Sequence, residues 1–391
     1  MKEGWSYKRI KEVGEVIGGT TPSTNNPDFW GGNLCWISPA ELHGEHYLYD
    51  SVKKITQKAV DAKSLKELPI GSVILSSRAP IGKLAINKVP MYCNQGFKCV
   101  VCGSELYNEY LYWWLYGKKD YLNSLGTGAT FPEISKTVVE NIVIPVAPIE
   151  EQRSIVTRLD AAFSHIDALK ANAEKQLNEV RKLFQAELTE CMKPKEGWEE
   201  KKLGELATEM YRGSGIKRDQ ITTEGIPCVR YGEIYTTYNV AFEKCVSHTC
   251  VNQISSPKYF EHGDLLFAIT GESVEDIGKT IAYMGHEKCL LGGDIICMKH
   301  EQNAKYLSYA LSTSEAIRQK GIGKTKLKVV HTNAPALKAI TIPLPPLAIQ
   351  HSIVSHLDSI SSNIRKLEEL QQKTIAECDA LKQAMLREVF E

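Results

Sequence analysis

One segment of this chain occurs twice, and each copy leads into a long stretch free of helix-breaking residues. Ile144-Pro-Val-Ala-Pro148 precedes a run from Ile149 to about Glu190, and Ile342-Pro-Leu-Pro-Pro346 precedes a run from Leu347 to Glu391. At a constant offset of 198 residues, Pro145 pairs with Pro343, Pro148 with Pro346 and Gln152 with Gln350. Ile155-Val156 likewise pairs with Ile353-Val354, and Leu159-Asp160 with Leu357-Asp358.

In the first run Val156, Leu159, Phe163, Ile166, Ala173, Leu177, Val180 and Phe184 recur at alternating steps of three and four. Lys170 fills the missing seam position and Glu187 ends the seam. This is a heptad pattern, and no Pro or Gly interrupts it. Pro148 suits the first turn of a helix, where its absent N–H is not needed. Glu150 and Glu151 face the positive end of the helix dipole, and Lys193-Pro194 stops the run. The second run carries Ile360, Ile364, Leu367, Ile375, Cys378, Leu381, Met385 and Val389 on a broader stripe. Either helix alone would leave its seam in water, so the two are predicted to bury each other as a coiled coil. A helix of about 40 residues spans about 60 Å.

The rest of the chain repeats around these runs. Lys2-Glu3-Gly4-Trp5 opens it, and Lys195-Glu196-Gly197-Trp198 follows the first run. Ser72–Ser76 and Asp264–Ala268 read as strands entering from Gly71 and Gly263, and each leads to an Ile-Gly-Lys, at 81–83 and 277–279. Lys98–Cys102 and Asp294–Met298 also read as strands; Tyr107–Tyr121 and Ala304–Lys320 read as helices. A loop follows each helix, Gly126–Pro132 in one half and Gly321–Lys326 in the other. The predicted fold class is mixed α/β (α+β): two similar domains, 1–143 and 195–341, and two helical regions, 144–194 and 342–391. The helices form an antiparallel pair, and the repeat gives an internal pseudo-two-fold.

At 391 residues the chain is too long for one ordinary core. No apolar run reaches the roughly 18 residues of a membrane span, and the first residues do not read as a signal peptide. Eleven cysteines without framework spacing are expected to be reduced thiols in a cytoplasm. Net charge is zero, with 16 Lys/Arg against 14 Asp/Glu in residues 1–143 and 19 against 18 in 195–341. The globular halves are thus slightly basic, a balance that still permits local cationic patches.

The leader Pro145-Val-Ala-Pro148-Ile-Glu150-Glu151-Gln152, with Ile155-Val156 and Leu159-Asp160 behind it, resembles the spacer-helix leader of type I restriction–modification specificity subunits. Ser76-Ser77-Arg78 with Ile81-Gly82-Lys83, the Gly126-Thr-Gly-Ala-Thr130 loop and the Gly-Trp after each helix are similar to that family too. The second leader differs, reading Ala348-Ile349-Gln350, and the second loop lacks the Thr-Gly-Ala-Thr form. The resemblance implies two target-recognition domains, each reading half of a split, asymmetric site in double-stranded DNA. It implies two modification (methyltransferase) subunits and restriction (motor-nuclease) subunits as partners. It implies no cofactor on this chain, S-adenosylmethionine, ATP and Mg²⁺ belonging to those partners.

Catalytic patterns fare poorly. Asn26-Pro27-Asp28-Phe29 approaches the catalytic tetrapeptide of DNA amino-methyltransferases, but Asp28 replaces the second Pro and no glycine-rich cofactor turn precedes it. A turn before Trp30 is the better reading. Pro27-Asp28 with Asp61-Ala62-Lys63 fits a nuclease pattern only loosely. Gly323-Lys324-Thr325 resembles the end of a P-loop, yet Arg318 stands where its first Gly is required. Cys99 and Cys102 have half a zinc spacing but point to opposite faces of a strand, and His248 with Cys250 lacks further ligands.

A non-catalytic DNA reader is therefore expected. Its candidate contacts are Arg78, Lys83, Lys98, Thr127 and Thr130 in the first domain. In the second they are Arg212, Lys217, Arg218, Arg230, Lys279, Lys324 and Lys326. Loop-borne Arg and Lys can bond phosphate or guanine edges, and Thr can serve either contact. Glu150, Glu151, Gln152 and Gln350, with the outer faces of the helices, are the expected docking surface for modification subunits. The alternatives are a specificity subunit of another restriction–methylation type, or a self-contained methyltransferase or endonuclease with a coiled-coil arm.

Overall fold

The computed structural model describes residues 3–128, 132–323 and 329–391. The chain divides into two compact units, residues 1–173 with 373–391, and residues 174–372. The division falls part-way along both long helices, so each unit holds one domain and a length of each helix.

In the first unit a five-stranded sheet runs in the order Gly14–Gly18, Lys98–Cys102, Val73–Leu75, Leu84–Asn87, Tyr47–Leu48. All neighbours are antiparallel except the last pair. A smaller sheet joins Lys53–Ile55, Trp30–Ile37 and Tyr92–Cys93. The second unit repeats the larger sheet strand for strand: Ala207–Arg212, Ile295–His300, Leu265–Ala268, Thr280–Tyr283, Ala241–Phe242, again with only the last pair parallel. The four strands read from sequence sit at the second and third places of these sheets, both interior. Their continuous apolar runs suit strands covered on both faces.

The helical readings need adjustment. Tyr107–Tyr121 is two helices, Asn108–Gly117 and Lys119–Ser124, and Ala304–Lys320 is likewise Ala304–Ala310 and Ser314–Lys320. Pro27–Phe29 is the turn expected before Trp30, capped by the Asn26 side chain. The Pro-rich leaders are not helix. Val143–Val146 is a strand antiparallel to Ser6–Arg9, and Thr341–Leu344 pairs in the same way with Glu199–Lys202. Proline is tolerated there because each ladder has only two strands.

The long helices are Ile149–Cys191 and Leu347–Phe390. In the first unit Lys170 bonds Asp379 at 2.7 Å, while Asp167 pairs with Lys382. In the second, Gln176 meets Gln371, Arg181 meets Glu368 and Glu187 meets His356. Numbers rise on one helix as they fall on the other, so the helix segments run antiparallel in each unit. Val156, Leu159, Phe163, Ile166 and Ala173 are buried as the seam requires. The second stripe departs from the sequence reading: Leu367 and Leu381 are exposed, and Leu386 and Phe390 are buried instead. Among the described residues, no helix is long and apolar enough to cross a membrane, and all eleven cysteines are free.

Candidate nucleic-acid interface

The duplicated leader residues act as a joint between each domain and its helix. Gln152 is fully buried; its Oε1 accepts from the Tyr107 N–H at 2.8 Å, and its Nε2 donates to Glu105 O and Ala147 O at 2.8 and 2.7 Å. Gln350, equally buried, accepts from the Asn303 N–H at 3.0 Å and donates to Pro345 O and Gln302 Oε1, both at 2.9 Å. Tyr110 and Tyr306 donate to the leader carbonyls of Pro145 and Pro343 at 3.0 and 2.8 Å. Leu159 and Leu357 are buried in the same cores as Tyr110 and Tyr306. Gln152 and Gln350 therefore present no surface to a partner, contrary to the sequence reading: buried amides are held by internal hydrogen bonds. Glu150 and Glu151 are exposed, with Glu151 accepting from the Trp5 indole at 3.0 Å.

In the first domain three of the five candidate DNA contacts gather around Glu133. Arg78 Nη1 lies 3.5 Å from its Oε2, and Lys98 Nζ lies 3.2 Å from its Oε1. Thr127 exchanges backbone hydrogen bonds with Glu133 at 3.1 and 3.0 Å. Of these, Arg78 is half-buried, Thr127 is exposed, and Lys98 is buried, also donating to Ser77 and Gln95. Thr130 lies outside the described residues. Glu133 itself escaped the sequence reading, since a single carboxylate in a loop carries no periodic signal.

The two Ile-Gly-Lys lysines share one role. Lys83 Nζ donates to Pro39 O and Leu42 O at 3.0 and 2.8 Å; Lys279 Nζ donates to Tyr235 O and Tyr238 O at 3.4 and 3.0 Å. Each ammonium ties down the carbonyl end of a short helical turn, Pro39–Glu41 or Tyr231–Thr236. Burial holds the Lys279 ammonium below the ordinary lysine range.

The second domain spreads its cations more widely. Arg212 is exposed at a strand end, donating to Gly293 O at 2.5 Å and Asp294 Oδ1 at 2.6 Å. The loops meet closely here: a Cβ on Gly213 would fall 2.1 Å from Gly292 O. At the matching place in the first domain, a Cβ on Gly19 would fall 2.0 Å from Asn94 O. Only glycine permits that approach. Arg230 pairs with Glu233 at 2.9 Å, whereas Lys217 and Arg218 are exposed on a short turn. Lys324 and Lys326 lie outside the described residues.

Two like domains, each joined to a long helix by the same glutamine and tyrosine bonds, define a duplicated reader. Residues 2–179 and 195–376 both match the type I restriction modification DNA specificity domain, and the chain belongs to that family of non-catalytic DNA-recognition subunits. It is 34% identical over 302 residues to the type I restriction enzyme MjaIX specificity subunit of Methanocaldococcus jannaschii, covering 71% of this chain and 68% of that one. It is 24% identical to the EcoKI specificity subunit of Escherichia coli K12, covering 80% and 72%. Its fold is similar to a chain solved in work on complex assembly and conformational transition of the type I R-M system, with a TM-score of 0.77 at 22% identity, covering 100% and 98% of the two chains. The HsdS subunit from Thermoanaerobacter tengcongensis matches with a TM-score of 0.55 at 22% identity, covering 100% and 97%.

Proposed function

We propose that each domain reads one part of a split, asymmetric site in double-stranded DNA, and that the chain brings two modification subunits, and restriction subunits with them, to that site. The observation that supports this best is the pairing of one sheet topology with two different cation arrangements. Arg78 and Thr127 in the first domain, and Arg212, Lys217, Arg218 and Arg230 in the second, are the proposed contacts among the described residues. Side chains of these types reach phosphates and base edges alike. Lys83, Lys98 and Lys279, engaged with internal acceptors, serve the reading loops by holding their shape. Because the halves differ, their two half-sites differ.

Methylome sequencing of a host with and without this chain, together with its modification subunit, tests the reading. The expected result is methylation at a two-part motif with unlike halves. Exchanging residues 207–340 for the corresponding domain of a relative changes one half only. A single contiguous motif, or change in both halves, would refute it.

A further inference from the structure

Glu187 stands where the heptad pattern calls for an apolar residue, and its neighbours suggest a reason. Glu187 and Cys191 lie four residues apart, hence on one face of the first long helix. His356 reaches them from the second. Its Nε2 is 2.8 Å from Glu187 Oε1, and Cys191 Sγ is 3.6 Å from the same oxygen. One donor atom from each of the three lies within 4.8 Å of the others, and no comparable trio of His, Cys, Asp or Glu occurs among the described residues. Donors around a tetrahedral zinc at ordinary bond lengths stand roughly 3.3–3.8 Å apart, so small side-chain rotations suffice to close the site.

We propose that Glu187, Cys191 and His356 bind one Zn²⁺ ion, with water as the fourth ligand, as a staple between the two helices. The donor set of one sulfur, one imidazole nitrogen and one carboxylate oxygen suits zinc and excludes Mg²⁺ and Ca²⁺, which require oxygen cages. Binding replaces the thiol S–H bond with a Zn–S bond and releases that proton to solvent. The carboxylate and thiolate then balance the ion's two charges. Flanking residues hold both backbones in place: Leu188, Met192, Val354 and Leu357 are all buried in the core of the second unit. Glu187 and His356 remain partly exposed, giving an ion a route from water. The staple would fix the helix register where the apolar seam ends. It is independent of which DNA is read.

The test uses the full chain, stripped with chelator and titrated with CoCl₂ alone. A thiolate-to-cobalt charge-transfer band saturating at one equivalent, and bleached by ZnSO₄, is expected. Cys191→Ser should abolish the band, His356→Ala should weaken cobalt binding at least about tenfold, and Cys250→Ser, at an exposed thiol, should leave it unchanged. His356→Ala alters a half-exposed side chain, so chelator-treated variant and parent should melt alike, while only the parent gains Tm with zinc. A wild-type chain that shows no such band, or a band that survives both Cys191→Ser and His356→Ala, overturns the proposal.

Discussion

The indole N–H of Trp113 donates to Asp160 at 2.8 Å, fastening the first domain's helix to the long helix. Tyr309 repeats the bond in the second unit, donating to Asp358 at 2.8 Å, and Lys305 adds a further bond to the same carboxylate at 2.7 Å. Trp113 and Tyr309 are both buried, and each polar tip is bonded to its aspartate. Asp160→Ala strands a mostly buried donor and is expected to cost about 1–3 kcal/mol. Urea unfolding followed by Trp fluorescence measures it. Trp113→Phe with Asp160→Ala should recover part of the loss, because no stranded donor then remains.

Gln152→Ala is expected to cost more, about 2–4 kcal/mol, since one N–H and two carbonyls in a largely buried site lose their partner. Were Gln152 a partner contact instead, the variant would melt normally and fail only in assembly with modification subunits. Differential scanning calorimetry of the isolated chain separates the two outcomes.

Lys320 gives the second unit a pH dependence. Burial pushes its ammonium down to about 7; among the described residues, Thr280 Oγ1 at 3.2 Å and Leu311 O at 2.8 Å receive its protons. The unfolded chain holds that proton up to about 10.5. The penalty is therefore full below pH 7 and fades as pH rises from 7 towards 10.5. Lys320→Met should raise stability by about 1–3 kcal/mol at pH 6, after subtracting the two hydrogen bonds it removes, and the gain should disappear near pH 10. Denaturant midpoints of variant and parent across that range check the sign.

Charge reversal at Lys217 and Arg218 should weaken DNA binding and flatten the slope of log K against log salt by about one for each phosphate no longer neutralised. Sequence preference should stay intact if both touch phosphates, and relax in one half-site if either reads a base. Titration of a labelled duplex at several salt concentrations decides this; unchanged affinity removes the turn from the footprint.

The helices and the duplication were legible because proline, Gln152, Gln350 and the Leu-Asp pairs recur at fixed spacing, and periodicity survives translation into packing. The phase of the second helix was not. Its C-terminal turns meet both the first long helix and the domain core, so the apolar stripe widens, and Leu386 and Phe390 rather than Leu381 point inward. The roles of Lys83 and Lys279 depend on carbonyls some 40 residues away in sequence, at Pro39, Leu42, Tyr235 and Tyr238. Charge type alone marked them as cations, not as clamps. Tyr110 with Tyr306, and Trp113 with Tyr309, recur 196 residues apart and could have revealed the anchors.

Ser6–Arg9 lies beside Val143–Val146, and Glu199–Lys202 beside Thr341–Leu344, so each domain's polypeptide enters and leaves through adjoining strands. A body with neighbouring portals can be cut out and replaced without rerouting the backbone around it. Recombination at the Gly-Trp and Pro-rich borders would thus yield hybrids that still fold, and new DNA preferences could arise by exchange of whole segments rather than by slow revision of individual loops.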